Sequence, residues 1–67
     1  MIIVKRNDYT LRVERELKVE EPTLEKAFEK IAEEYRNKGY MTDVMPTGQL
    51  IAYKEGSCYS FIRNYLK

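Results

Sequence analysis

The sequence contains no histidine. That removes the side chain that most often serves as general base near neutral pH, as metal ligand and as triad partner. It contains one cysteine, Cys58, so no intrachain disulfide can form and Cys58 has no partner for a zinc site. No basic cluster lies near Cys58 to make a reactive thiolate, and cysteine is habitually buried, so a structural, core-facing role is expected. Glycine is scarce: Gly39, Gly48 and Gly56 stand singly, and no phosphate-cradling loop can be assembled from isolated turn residues. Long apolar runs are missing too. Met1-Ile2-Ile3-Val4 gives way at once to Lys5 and Arg6, too soon for a signal segment or a membrane span. Adjacent carboxylates such as Glu20-Glu21 and Glu33-Glu34 read as solvated charges. The expectation is a non-enzymatic protein of a reducing cytoplasm, without cofactor, metal, membrane contact or small-molecule substrate.

What is present is a short chain rich in charge. Its 67 residues suggest one domain with one small core. A domain of about 60 residues buries only about 60% of its unfolded surface, so help from a partner or from dimerisation is common. The net charge of +1 is unevenly spread. Residues 1–15 hold four basic against two acidic side chains, residues 16–34 three lysines against seven glutamates, and residues 35–67 five basic against two acidic. An acidic helix side then faces away from a mildly basic sheet. A chain dedicated to duplex DNA would be more basic overall.

One stretch carries a helix signal, Thr23 to Lys38. Leu24, Ala27, Phe28, Ile31 and Tyr35 recur at the spacing of a single buried stripe, with Ala32 at its edge. Thr23 after Pro22 suits an N-cap, and Gly39 suits the left-handed residue that ends a helix. Charged i, i+3 and i, i+4 neighbours attract and repel in similar number, so the apolar stripe is expected to hold the helix.

The rest reads as strand. Asn7-Asp8 suits a two-residue turn, which would pair Arg6 with Tyr9, Val4 with Leu11 and Ile2 with Val13. Tyr9 to Val19 alternates apolar and polar residues, with Arg15 as an interruption that suggests a bulge. After Gly39 come Tyr40 to Met45, Gln49 to Lys54 and Ser57 to about Leu66, separated by Pro46-Thr47-Gly48 and Glu55-Gly56. The order is ββαβββ, an α+β plan with an antiparallel sheet and one helix on one face.

A turn at Glu55-Gly56 pairs Tyr53 with Cys58, Ala52 with Tyr59, Ile51 with Ser60 and Leu50 with Phe61. A loop over Pro46 to Gln49 sets Met45 opposite Leu50. One face of these three strands, including Val44, Ile51, Tyr53, Cys58, Ser60 and Ile62, then carries no charge, and it is the expected core face. The other face presents Met41, Met45, Leu50, Tyr59, Phe61, Arg63 and Tyr65 as a partner-binding surface, a composition that interfaces favour. A shift of one residue in either hairpin would exchange the two faces. The alternative reading is single-stranded nucleic-acid binding, with Tyr59, Phe61 and Tyr65 stacking on bases and Lys54, Arg63 and Lys67 meeting phosphates. The small basic surplus favours a protein partner or self-association.

The ββαβββ order in a small Tyr-, Lys- and Glu-rich chain resembles several small phage-encoded accessory proteins, some anti-CRISPR inhibitors among them. The resemblance rests on size, composition and element order and transfers no residue role. It implies a mobile-element inhibitor of a larger host complex, and a prophage or host regulatory subunit fits equally well.

Overall fold

The computed structural model describes residues 2–63 and holds five strands and one helix: β1 Ile2–Asp8, β2 Val13–Val19, α1 Leu24–Asn37, β3 Met41–Val44, β4 Leu50–Lys54 and β5 Ser57–Arg63. All strand pairs are antiparallel, in one open sheet of order β2-β1-β5-β4-β3. This is the α+β plan the sequence predicts, with β1 and β5 now placed side by side. The predicted extension of the last strand to Leu66 lies outside the described residues.

The helix begins where Thr23, in extended conformation, accepts the Lys26 amide on its Oγ1 at 3.2 Å. It ends in two nested bonds: the Tyr40 amide donates to the Tyr35 carbonyl and the Gly39 amide to the Arg36 carbonyl, each at 3.0 Å. Gly39 takes φ +91°, which only glycine adopts without strain. This cap turns Tyr40 back against Tyr35, their ring centres 5.2 Å apart. The helix thus delivers an aromatic pair to the start of β3.

The first hairpin differs from expectation. Val4 pairs with Leu17 and Ile2 with Val19, and the turn is the four residues Tyr9–Arg12. Asp8 is the cause. Its Oδ1 accepts the amides of Thr10 and Leu11 at 2.9 and 3.1 Å, an Asx turn that tightens the chain just after the strand, and Arg12 completes it at φ +56°. Tyr9 and Leu11, expected on a strand, are exposed in this turn. Arg15 needs no bulge and sits directly opposite Arg6.

The β4–β5 register matches the one predicted from Glu55-Gly56 at each of its four pairs. The β3–β4 register is one residue off, with Val44 rather than Met45 opposite Leu50. The Met45 amide bonds to the Gln49 carbonyl and the Gly48 amide to the Met45 carbonyl, both at 2.8 Å, so Gln49 closes the ladder rather than belonging to the loop. The three-residue loop that remains, with Gly48 at φ +91°, is a standard hairpin closure.

The core face is the reverse of the one expected. Leu50 and Phe61 are 1% and 0% exposed and lie under Phe28, Ile31 and Tyr35 of α1, together with Ile2, Val4, Val19 and Ala52. The charges that argued against this face, Lys54 and Arg63, stand at strand ends, where their heads reach water while the strand middles stay apolar. Placement along the strand outweighs the alternation count. Thr42 and Val44 join the helix side through the one-residue shift, and Met41 and Asp43 move to the opposite face.

Candidate binding surfaces

Two surfaces are built by this fold. The first is the sheet face that no helix covers. Direct pairing across the sheet puts Ile62, Ser60 and Cys58 of β5, Ile51 and Tyr53 of β4, and Met41 and Asp43 of β3 on it. The same face continues through Ile3, Lys5 and Asn7 of β1 to Glu14, Glu16 and Lys18 of β2. One half is therefore charged, with Lys5 Nζ 3.8 Å from a Glu14 carboxylate oxygen. The other half is apolar apart from Asp43, and it exposes Met41 at 64% and Tyr53 and Ile62 at 38% each. Tyr9 folds from the β1–β2 turn over the middle, sharing a 3.1 Å hydrogen bond with the Ser60 hydroxyl, and this buries Ser60. The Tyr9 amide donates to the Cys58 carbonyl at 3.0 Å and the Thr10 hydroxyl to the Gly56 carbonyl at 3.3 Å, which fix the turn to the β4–β5 hairpin. Cys58 is half-buried on this open face, not in the core where its residue type suggested.

The second surface is on the helix side. Tyr35 stands at the centre of an aromatic cluster, edge-on to Tyr40, Tyr59 and Phe61 at centroid distances of 5.2, 5.4 and 5.2 Å. Cations surround it. The Arg6 guanidinium lies 5.2 Å from the Tyr59 ring centre and donates to the Tyr35 hydroxyl at 3.1 Å. Lys38 and Lys54 approach the Tyr35 and Tyr40 rings at 5.2 and 4.5 Å. Such contacts hold a cation in place through the negative face of the ring. The Ser57 hydroxyl, then that of Tyr59, donates toward the Tyr40 oxygen. With Lys54 and Lys38 nearby these hold the Tyr40 phenol below its ordinary range, partly opposed by burial. Tyr59 shifts the other way: its proton is engaged with Tyr40, and burial and nearby Asp8 raise it further.

The helix leaves a groove on either flank, and the two differ in charge. Between α1 and β3 lies a groove of about 620 Å³ with Phe28 and Leu50 at its base and Glu25 and Glu29 on its helix wall beside Arg36. Between α1 and β2 lies one of about 260 Å³, lined by Arg6, Lys30 and Lys38 against Glu34. The two grooves thus differ in charge, with Glu25 and Glu29 on one flank of the helix and Lys30 and Lys38 on the other.

The residues predicted as one partner-binding patch are dispersed. Leu50 and Phe61 are in the core, not on an exposed face, because the helix covers that side of β4 and β5. Tyr59 is half-buried beside Tyr35. Met41 is exposed on the open sheet face, Met45 is partly exposed at the β3–β4 loop, and Arg63 and Lys54 are exposed at strand ends. Tyr65 and Lys67 lie outside the described residues. The apolar half of the open face was legible as the charge-free alternation but was assigned to the core. The helix-flank grooves left no signal, because they depend on how the helix crosses the sheet. No protein family, curated protein or solved structure matches the chain.

Proposed function

We propose that the protein is a small non-enzymatic protein-binding module whose docking surface is the uncovered sheet face, and that its first partner is a second copy of itself. The observation that carries this reading is the apolar half of that face, Met41, Ile51, Tyr53, Cys58 and Ile62, left open beside a charged half. An apolar centre with a charged margin is the usual anatomy of an interface. Its size sets the strength. Strands of seven, seven, four, five and seven residues, at ~4.8 Å spacing and ~3.3 Å rise per residue, give a face of about 480 Å². Two copies stacked face to face would bury about 950 Å², just short of the ~1,000 Å² typical of a stable specific interface, which makes the pairing a weak one. The β3–β5 half alone offers ~250 Å², so the charged half must take part, and affinity of about micromolar or weaker follows. A role as inhibitor or regulatory subunit of a larger complex would use the same face.

Nucleic-acid binding has less support. The rings meant to stack on bases, Tyr59 and Phe61, lie beneath α1, and base stacking needs an open ring face. Sedimentation equilibrium of the wild type beside Ile62→Glu tests the proposal. A dimer that becomes a folded monomer on substitution supports it. A wild type that stays monomeric at millimolar concentration, or a dimer indifferent to the substitution, counts against it.

A further inference from the structure

We infer that the groove between α1 and β2 is a second docking site, separate from the open sheet face, and that it takes an acidic extended segment of a partner protein. Charge complementarity chooses the occupant. Three cationic side chains, Arg6, Lys30 and Lys38, line the groove against one carboxylate, Glu34, which pairs with Lys38 Nζ at 3.6 Å and leaves Arg6 and Lys30 in excess. Arg6 is directly opposite Arg15 on the neighbouring strand and the same face, an arrangement that costs stability unless something negative comes between. Arg6 is also pre-organised. Its guanidinium is fixed by the Tyr35 hydroxyl and the Tyr59 ring, and its Nε is buried without a hydrogen-bond partner. A guanidinium held by phenol and ring rather than by a carboxylate keeps its charge available to a ligand.

The shape selects a strand. β2 is an edge of the sheet, so its outer backbone amides and carbonyls offer a ladder to an added strand. Leu17, Val19 and Ile31 give the groove an apolar floor, and Lys30 and Lys38 stand along its helix wall. A segment that alternates acidic and β-branched residues would put one set of side chains on the floor and direct the other set at the cations. A nucleic acid would find the phosphate contacts but no uncovered ring here, since Tyr35 and Phe61 are buried.

The test is fluorescence anisotropy with a fluorescein-labelled eight-residue peptide of alternating Glu and Val, beside a Lys-Val counterpart and a labelled oligothymidine. The Glu-Val peptide should saturate the wild type, and its affinity should fall severalfold between low and moderate salt. Lys30→Glu with Lys38→Glu, both exposed on α1, should weaken it at least tenfold, and Lys30→Glu alone, which leaves the Lys38 contacts with Glu34 and Tyr35 in place, by a smaller factor. Amide shifts on binding should concentrate in residues 13–19. The inference is overturned if the Glu-Val peptide fails to saturate at about 1 mM, or if the double variant or the Lys-Val peptide binds equally well. It is also overturned if oligothymidine binds more tightly, or if the groove is filled by the acidic flank of another copy, seen as chain-length growth that the double variant abolishes. Ile62→Glu should leave this binding intact, so failure here and failure of the sheet-face dimer are separable.

Discussion

Phe61 and Ile62 are neighbours in sequence and opposites in environment, and substituting each in turn tests the face assignment. Phe61 is fully buried, with its ring edge-on to Tyr35 and Leu50 directly across the strand pair. Truncating such a ring to alanine costs about 3–5 kcal/mol in lost burial and cavity. A chain of 67 residues at about 0.05–0.15 kcal/mol per residue has about 3–10 kcal/mol in all, so Phe61→Ala removes at least about a third of its stability. Phe61→Leu keeps part of the volume and should cost about 1–2 kcal/mol, which remains measurable. Ile62→Ala removes a side chain that is already 38% exposed and should cost about 1 kcal/mol or less. Urea unfolding followed by far-UV circular dichroism reads the difference. With m near 1 kcal/mol per molar, Phe61→Leu should lower the midpoint by about 1–2 M, and Ile62→Ala by less than about 1 M. The scans belong at low protein concentration, because self-association adds to apparent stability. An Ile62→Ala loss equal to or larger than that of Phe61→Leu would refute the assignment.

Two further expectations concern the turns and the tyrosines. Asp8→Ala removes the acceptor for two turn amides and should cost about 1–2 kcal/mol in the same urea assay, whereas Asp8→Asn keeps a carbonyl acceptor and should recover most of it. In an ultraviolet titration at alkaline pH, Tyr40 should ionise before the ordinary phenol range near 10 and Tyr59 after it, and Tyr40→Phe should delete the early part of the rise. The signs follow. Because folding lowers the Tyr40 value, its contribution is absent at neutral pH, grows as pH rises through the lowered value and is complete above the unfolded one. Because folding raises the Tyr59 value, its contribution is complete below the ordinary range and is lost as pH climbs through the raised value.

How far the fold could be read from sequence depended on whether the deciding interactions were local. Thr23, the apolar stripe of α1 and Gly39 lie within one stretch, and they place the helix to within a residue or two. Glu55-Gly56 fixes its hairpin because a two-residue turn leaves no freedom of register. The Asn7-Asp8 hairpin misled because Asp8 uses its side chain to cap a longer turn, and nothing in the alternation of Tyr9 to Val19 reveals that use. The choice of core face misled for a different reason. Counting charges along an alternation treats every position alike, whereas Lys54 and Arg63 stand at strand ends and leave Ala52, Leu50 and Phe61 free to meet the helix. The neighbourhood of β1 and β5, which brings Arg6 to Tyr59 and Tyr35, joins residues more than twenty apart and had no local signal.

The central claim is that two copies meet through the open sheet face, and the most direct measurement is an isotope-filtered nuclear Overhauser spectrum of a sample mixed from labelled and unlabelled protein. Face-to-face pairing predicts intermolecular cross-peaks among the methyl groups of Met41, Ile51 and Ile62 and the Tyr53 ring. Cross-peaks confined to α1 or to the outer edge of β3, in a sample that sedimentation shows to be dimeric, would contradict it.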